Sequence, residues 1–585
     1  MTTFRVWAPR AEQVDVEVLQ RRVPMRLEDG GWWAAEVPEA VAGVDYAFRL
    51  DRGEATPDPR SPWQPAGVHG PSRVVDHAAF PWTDQHWRGI DLADAVVYEL
   101  HVGTFTPEGT FDAVVPHLDY LTDLGVTVLE LLPVAEFSGD HGWGYDGVDL
   151  YAPHHAFGGP DGLKRLVDAC HRRGLGVVLD VVYNHLGPAG NYLARFGPYF
   201  TSKYATPWGD AINYDDAGSD EVRAFVVDNA VMWLRDYHCD GLRLDAVHAI
   251  YDQSAIHLLE ELQARVSATS AETGRSLFLI AESDLNDPRL VTEQSRGGYG
   301  LAGQWSDDFH HALHTALTGE RDGYYADYGA LADVATALQD VFVYAGRHST
   351  YRGRRHGRPV PAEVPATRFL GYVQNHDQVG NRATGERLIR LTRDDGLLRI
   401  AAALVLLSPF VPLLFMGEEW GATTPFRYFT DHRDPELADA VRKGRREEFA
   451  AFGWDPEEVP DPQDPQSFLL SKLDWVERDR PRHAPLLTWH RDLIWLRRQT
   501  PDLRDGDRTK VEVTVDEEQR TLVLRRGSIT IATNFSAQLR DVPLPVKCHP
   551  DPLLASDRGV DCTIGAVWLP PASVAVLRPW EGWGS

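Results

Sequence analysis

The sequence predicts an α/β protein. Its centre is a (β/α)8 barrel, with a small antiparallel, immunoglobulin-like β-sandwich on the N-terminal side and an antiparallel β-sandwich on the C-terminal side. Three observations carry this. From about residue 95, apolar strand-like runs alternate with amphipathic helical stretches. Those runs number eight, the count of a closed barrel rather than an open sheet. Both flanks show β-type patterns without helices.

The elements follow in order. Phe4–Trp7, Val14–Val18 and Trp32–Val37 alternate apolar and polar residues and are separated by turn residues such as Asp29-Gly30-Gly31, as strands of a sandwich require. The Pro-rich stretch Thr56–Gly67 fits neither a central strand nor a helix interior and leads to a domain limit near residue 85. The barrel strands are expected at Ala95–Val102, Val126–Leu132, Gly176–Tyr183, Gly241–Asp245, Phe278–Glu282, a weaker Leu301–Trp305, Phe369–Gln374 and Val411–Met416. Helices are expected over Asp112–Leu124, Asp161–Arg173 and Asp220–Tyr237, each opening on an acidic residue that suits the positive end of the helix dipole. Beyond about residue 505 the runs Lys510–Val515, Thr521–Arg525 and Ile529–Thr533 return to a β pattern. The expected domains are therefore 1–85, 86–504 and 505–585.

Composition narrows the function. The 585 residues carry a formal charge of −28, a field that repels nucleic acid and anionic membranes, so neither is an expected partner. No stretch approaches the roughly 18 apolar residues of a membrane helix, and the N-terminus reaches charge at Arg5 without a signal-peptide core, so a cytoplasmic location is expected. The four cysteines (Cys170, Cys239, Cys548, Cys562) form neither CxxC pairs nor a disulfide framework. The 18 Trp supply aromatic faces on which sugar rings can stack, although most Trp side chains are core.

In such a barrel the chemistry sits at the C-terminal ends of the strands. Those ends read Asp180-Val181-Val182-Tyr183-Asn184-His185, Gly241-Leu242-Arg243-Leu244-Asp245-Ala246-Val247-His248, Leu279-Ile280-Ala281-Glu282-Ser283-Asp284 and Val373-Gln374-Asn375-His376-Asp377-Gln378. Asp245, Glu282 and Asp377 thus converge on one mouth with Arg243, His185 and His376. Clustered carboxylates require a bound proton or a neighbouring cation. One ionised carboxylate, one protonated acid and donors for hydroxyls are what glycoside hydrolysis uses. A metal site is the rival reading, but no HExxH spacing occurs and Arg243 is a poor neighbour for a cation, so neither metal nor cofactor is expected. A lone Asp at a strand end usually caps the next helix, and Asp180 is expected only to organise its loop by hydrogen bonding. Asp307 or Asp308 is expected to cap a helix. The His310/His314 pair at i, i+4 spacing reads weakly as a metal site. Trp143, Trp208 and Trp305 fit either stacking platforms or core.

DVVYNH (180–185), GLRLDAVH (241–248), LIAESD (279–284) and VQNHDQ (373–378) resemble, in order and position, the four signature regions of the α-amylase family of glycoside hydrolases. ELHVGTFTPEGTF (99–111), PRSPWQPAGVHGPS (59–72), WGYDGVDLYAPHHAFG (143–158), QWSDDFHHALH (304–314) and NHDQVGNR (375–382) resemble the branch of that family that releases trehalose from malto-oligosyltrehalose. The resemblance covers essentially the whole chain. It implies that Asp245 is the nucleophile, Glu282 the general acid/base and Asp377 the carboxylate that binds ring hydroxyls. Tyr145 would stack under the sugar, with His185, Arg243 and His376 binding hydroxyls and positioning carboxylates. In that branch the segments matching Arg243–His248, Asp307–His311 and His376–Asn381 line the cleft. This adds Leu244, Ala246, Val247, His248, Asp307, Asp308, Phe309, His310, His311, Gln378, Val379, Gly380 and Asn381.

The resemblance implies hydrolysis of the α-1,4 bond beside the terminal trehalose with retention, the substrate coming from a malto-oligosyltrehalose synthase. His248-Ala249 stands where many amylases carry Lys-His, which disfavours an endo-acting amylase. Asn184 matches a position that helps bind calcium in many amylases, but no metal is carried over. The alternatives are a glycogen-branching enzyme, which shares the carboxylate trio, and a non-catalytic glucan-binding protein, which the intact trio disfavours.

Overall fold

Eight parallel strands close into a barrel in the computed structural model, which describes residues 2–206, 208–451 and 459–580. They are β1 (Val97–Leu100), β2 (Val128–Leu131), β3 (Gly176–Val181), β4 (Gly241–Leu244), β5 (Phe278–Ala281), β6 (Gly303–Trp305), β7 (Phe369–Gly371) and β8 (Val411–Phe415), each paired with its neighbours and β8 with β1. All eight expected runs are present, each shorter than its apolar stretch because the flanking apolar residues pack as loops over the barrel ends. β6 is the faintest in sequence for a physical reason: it has three residues, and its Gly303 lets Leu92 and Leu370 approach to 2.9 and 3.0 Å of where a Cβ would stand.

Strand alternation divides the core in two. Val97, Val128, Val178, Ile280, Trp305, Tyr372 and Leu413 fill the barrel interior. Leu129, Leu179, Leu242 and Leu244 point outward beneath the helices. Helices Gly159–His171 and Ser219–Arg235 lie where expected, within two residues at each end. The single helix expected over Asp112–Leu124 is instead Phe111–Val114 and Leu118–Leu124, split by a tight turn at Val115–His117. Pro116 has no N–H to continue the ladder.

The N-terminal sandwich pairs Thr2–Trp7, Trp32–Val37 and Arg26–Leu27 in one sheet, and Arg21–Pro24, Val14–Val18, Asp45–Leu50, Ala55–Thr56 and Ser72–Arg73 in the other. The hairpin joining Val18 to Arg21 escaped sequence reading because Leu19 and Gln20, rather than Asn or Gly, take positive φ (52° and 59°). The C-terminal domain stacks Val511–Asp516, Thr521–Arg526, Ile529–Asn534, Ser573–Leu577 and Leu554–Ala555 against Arg540–Pro543, Ala566–Leu569 and Asp561–Cys562. Val523, Ala532, Val542, Val567 and Leu569 pack between the two sheets.

The connection that enters the barrel is clamped to its base. His171 Nδ1 lies 2.8 Å from Asp84 and Nε2 3.1 Å from Asp240, all three buried, and Trp87 Nε1 donates to Asp240 at 2.6 Å. Among the described residues no helix is long and apolar enough to cross a membrane. All four cysteines are free thiols.

Candidate active site

The three candidate carboxylates stand at the C-terminal ends of β4, β5 and β7 and open into one mouth. Arg243 is the hub. Period-two alternation turns Arg243 and Asp245 inward and Leu244 outward. The fully buried Arg243 guanidinium lies 4.3 Å above the Trp305 ring. Its Nη1 donates to Asp245 Oδ1 at 2.9 Å and to both Asp180 oxygens at 2.9 and 2.8 Å, and its Nη2 is 3.7 Å from Glu282 Oε2. Asn184 Nδ2 donates to Asp245 Oδ2 at 2.7 Å and to its carbonyl at 2.9 Å. Both Asp245 oxygens therefore accept from fixed donors.

Glu282 is tied to β4 by its backbone and by its carboxyl. Its N–H donates to Leu244 O at 3.0 Å and its carbonyl accepts from Val247 N at 3.0 Å. Ala246 sits in the left-handed region (φ 40°, ψ 52°), unusual for a residue with a Cβ, and its N–H donates to Glu282 Oε2. Burial is the main force raising the Glu282 carboxyl above the usual range. Arg243 opposes it, and Asp245 and Asp377 reinforce it.

Asp377 lies in the short helix His376–Gly380, capped by Asn375 through Gln378 N, and accepts from Asn381 Nδ2 at 3.2 Å. His376 Nε2 is 3.5 Å from Asp377 Oδ1 and 2.7 Å from Tyr145 Oη. Tyr145 stacks on His376 at 5.3 Å and donates to Asp180 Oδ2 at 2.6 Å. Asp180 thus does not organise its loop, as the sequence suggested, but holds Arg243 and Tyr145. Burial pushes Asp180 up to about 7 against the pull of Arg243. Two donor groups, Arg243 Nη1 and Tyr145 Oη, make three contacts with its two oxygens, however, and leave it an acceptor, so we read it as ionised. Glu99, at the end of β1 and unassigned by sequence reading, accepts from both the backbone N and the Nδ1 of His376. The signal that could have found it was an acidic residue at one more inward strand end.

The remaining candidates divide. Asp307 is half-buried and accepts from Tyr372 Oη, and burial pushes it up to about 8. Ala246, Gln378 and Asn381 are half-buried and His248 is exposed. His185 places Nε2 3.0 Å from the Tyr145 carbonyl and stacks on the half-exposed Trp208 at 4.0 Å. Leu244, Val247, Phe309, Val379 and Gly380 are buried packing residues behind the mouth. Asp308 does not cap the helix Asp307–Thr318. It accepts from Asn286 Nδ2 at 2.9 Å, Tyr328 Oη at 2.6 Å and Tyr344 N at 2.8 Å, fixing the loops behind the site.

His311 packs against Tyr324 and Tyr328. His310 pairs with Val373 O and Tyr325, whereas His314 pairs with Glu320, so the two do not share a ligand position. The described cluster with metal-ligand geometry lies elsewhere, at Glu136, His154 and His155, where Glu136 already pairs with both imidazoles. Trp143 and Trp305 are buried, which leaves Trp208 as the exposed ring of the three.

Comparison with known proteins agrees with this geometry. Residues 77–206 match the α-amylase catalytic domain, and residues 1–64 match carbohydrate-binding module 48, the isoamylase N-terminal domain. An Arthrobacter ramosus protein named malto-oligosyltrehalose trehalohydrolase is 52% identical over 556 residues, covering 94% of this chain and 95% of its own. A Mycobacterium tuberculosis protein of the same name is 51% identical over 549 residues, 93% of this chain and 94% of its own. A Salmonella typhimurium protein crystallised as an α-amylase candidate superposes with a TM-score of 0.90 at 40% identity, over 98% of this chain and 97% of its own.

Proposed function

The chain belongs to the malto-oligosyltrehalose trehalohydrolases, glycoside hydrolases of the α-amylase family, and from that premise we propose that Asp245, Glu282 and Asp377 cleave the α-1,4 bond beside the terminal trehalose of malto-oligosyltrehalose. The observation that carries the proposal is Arg243 touching Asp245 with one nitrogen at 2.9 Å and facing Glu282 with the other at 3.7 Å, while burial raises the Glu282 carboxyl.

The acetal is cleaved by protonating the leaving oxygen while positive charge develops on the ring. The Ala246 N–H occupies Glu282 Oε2, so the proton resides on Oε1 and passes from there to the trehalose oxygen. Asp245, held by hydrogen bonds from Arg243 and Asn184, attacks the anomeric carbon and forms a glucosyl ester as trehalose departs. Glu282, now a carboxylate, takes a proton from water. That water opens the ester, and the α configuration is retained. Such chemistry requires the two carboxyls about 5–5.5 Å apart. Asp377 and His376 hold ring hydroxyls, and Tyr145 offers its face to the sugar. The substrate must come from a reaction that builds a trehalose end on a maltodextrin, the role of a malto-oligosyltrehalose synthase. Four unpaired thiols suit a reducing cytoplasm.

The test is chromatography of products from maltotriosyltrehalose beside a maltopentaose control. Trehalose plus maltotriose, with slow attack on the control, is the expected result. New α-1,6 branches on amylose would instead identify a branching enzyme, and no turnover of either a binding protein.

A further inference from the structure

Glu99 has no part in the steps above, yet its surroundings define one. It is buried at the end of β1, and both of its oxygens are engaged by one residue: Oε2 accepts the His376 backbone N–H at 2.9 Å and Oε1 faces His376 Nδ1 at 2.5 Å. On the other edge of the ring, Nε2 lies 2.7 Å from Tyr145 Oη. Tyr145 has one hydrogen, and it points to Asp180 Oδ2 at 2.6 Å, because Asp180 already faces two Arg243 contacts and has no hydrogen to return. The tyrosine oxygen must therefore accept from Nε2–H, while Glu99 accepts from Nδ1–H. With Asp180 and Glu99 ionised, donor and acceptor counting makes His376 an imidazolium.

We propose that Glu99 is a positioning residue for the hydrolysis: it holds His376 as a charged, two-sided donor, and His376 in turn fixes Tyr145 and Asp377 in the orientation that meets the sugar ring. The proposal rests on the reading of this mouth as the glycosidase site. The charged groups around the ring act in both directions. Asp377 and Glu99 lie on opposite edges and favour the charge, and Asp180 and Glu130 lie below. Arg243 opposes it, and His101 is kept neutral chiefly by burial. The Trp143 and Trp305 rings flank it at 5.7 and 6.1 Å. Burial works against the charge, but Asp377 and Glu99 outweigh it and hold His376 up at about 9.

Glu99→Gln keeps the shape and removes the counter-charge, whereas Glu99→Asp keeps the charge and shortens the reach. The expected result for Glu99→Gln on malto-oligosyltrehalose is a kcat/KM lower by about 10- to 100-fold, carried mostly by kcat. Its alkaline limb should also move to lower pH, because His376 loses the charge and hydrogen bond of Glu99 that hold its proton. Glu99→Asp should retain the wild-type limb. A folded Glu99→Gln with wild-type kcat/KM and an unmoved limb would overturn the proposal. Nitrogen-15 histidine NMR of the wild type gives a second readout that needs no turnover. At about pH 8 both His376 nitrogens should carry protons, and a neutral His376 would overturn the proposal even if the wild type cleaves malto-oligosyltrehalose as described.

Discussion

Replacing Glu282 by Gln isolates the proton from everything else the residue does. The side chain keeps its volume, and the amide oxygen can take the Ala246 N–H that now binds Oε2, so the group stays in place while its acidic hydrogen is lost. The backbone ties of Glu282 to Leu244 and Val247 are untouched, and no change in melting temperature is expected. A positioned proton donor contributes about 10²–10⁴ in rate. The upper part of that range applies here because the leaving group is an unactivated sugar hydroxyl, and about three orders of magnitude corresponds to about 4 kcal/mol of barrier. The assay is kcat for trehalose release, run beside the first-turnover burst of fluoride from an α-glucosyl fluoride, whose departing fluoride needs no proton and whose burst precedes the water step that Glu282 serves as base. The variant should fall at least about a thousandfold on the first and stay within about tenfold on the second. Equal losses on both substrates, or trehalose release within tenfold of wild type, would refute the assignment of Glu282 as the acid.

Asp245→Asn removes the nucleophile, and a loss of about three orders of magnitude in kcat is expected on both of those substrates, with first-formed sugar of the α anomer in the wild type; a β product by proton NMR would exclude the double displacement. Gly380→Ala would place a Cβ 2.1 Å from the Trp143 ring, which is stacked on Phe426 at 5.0 Å and bonded through Nε1 to Arg427 O at 2.8 Å. The helix bearing Asp377 must shift, so kcat/KM should fall more than tenfold with a stability loss of about 1–3 kcal/mol, and wild-type kinetics would contradict the packing argument. His171→Asn breaks the clamp at the barrel base and should cost about 3–5 kcal/mol by denaturant titration. Burial alone would lower the His171 pKa, but Asp240 and Asp84 raise it above 6.5. Its stabilisation is therefore complete below 6.5 and lost as pH rises through the folded-state value. Burial works to raise Asp84, yet bonds from His171 and His238 hold it below the carboxylate range, so its share is lost at the acid end. Melting curves of the variant should lose the alkaline limb and keep only the part of the acid limb that His238 sustains through its own contact with Asp84 at 2.8 Å.

Strand order and the three carboxylates were readable because a parallel barrel writes its core as uninterrupted apolar runs and puts its chemistry just after them. Asp245 and Glu282 follow such a run directly, and Asp377 comes six residues after β7 ends at Gly371. What was not readable depends on pairing across the sequence. The roles of Asp180 and Glu99 are set by partners 63 and 277 residues away, and nothing local in DVVYNH or YELH distinguishes a charge-holding acid from a loop-forming one. The segments 243–248 and 376–381 were read as continuous linings. A strand or helix shows only some of its residues to one side, so Leu244 and Val379 went to the core while their neighbours faced the mouth. Asp308 shows the same limit: an acid in the first turn of a helix suggests a cap, and only the return of Asn286, Tyr328 and Tyr344 to its oxygens shows that it binds loops together.

The proposed mechanism needs one carboxyl of the mouth to keep its proton while its neighbour does not, and the charge arrangement favours that division. Glu99, Asp180, Asp245 and Asp377 supply four negative charges, and Arg243 and His376 two positive ones, each cation bonded between acids. Asp245 draws a guanidinium nitrogen at 2.9 Å and an amide at 2.7 Å, whereas Glu282 has the same guanidinium only at 3.7 Å and otherwise a backbone N–H. At an effective dielectric near 20 a unit charge at 4 Å is worth about 4 kcal/mol, so small differences in distance and donor count suffice to separate the two protonation states. The net of two negative charges is also the field that a positively charged ring needs. As the glycosidic bond lengthens, charge develops on the sugar between Asp245 and Asp377, and no donor has to reorient to meet it. Arg243 and His376 therefore do not neutralise the site. They hold its acids in place while leaving the excess of negative charge that the transition state, and not the neutral substrate, is bound by.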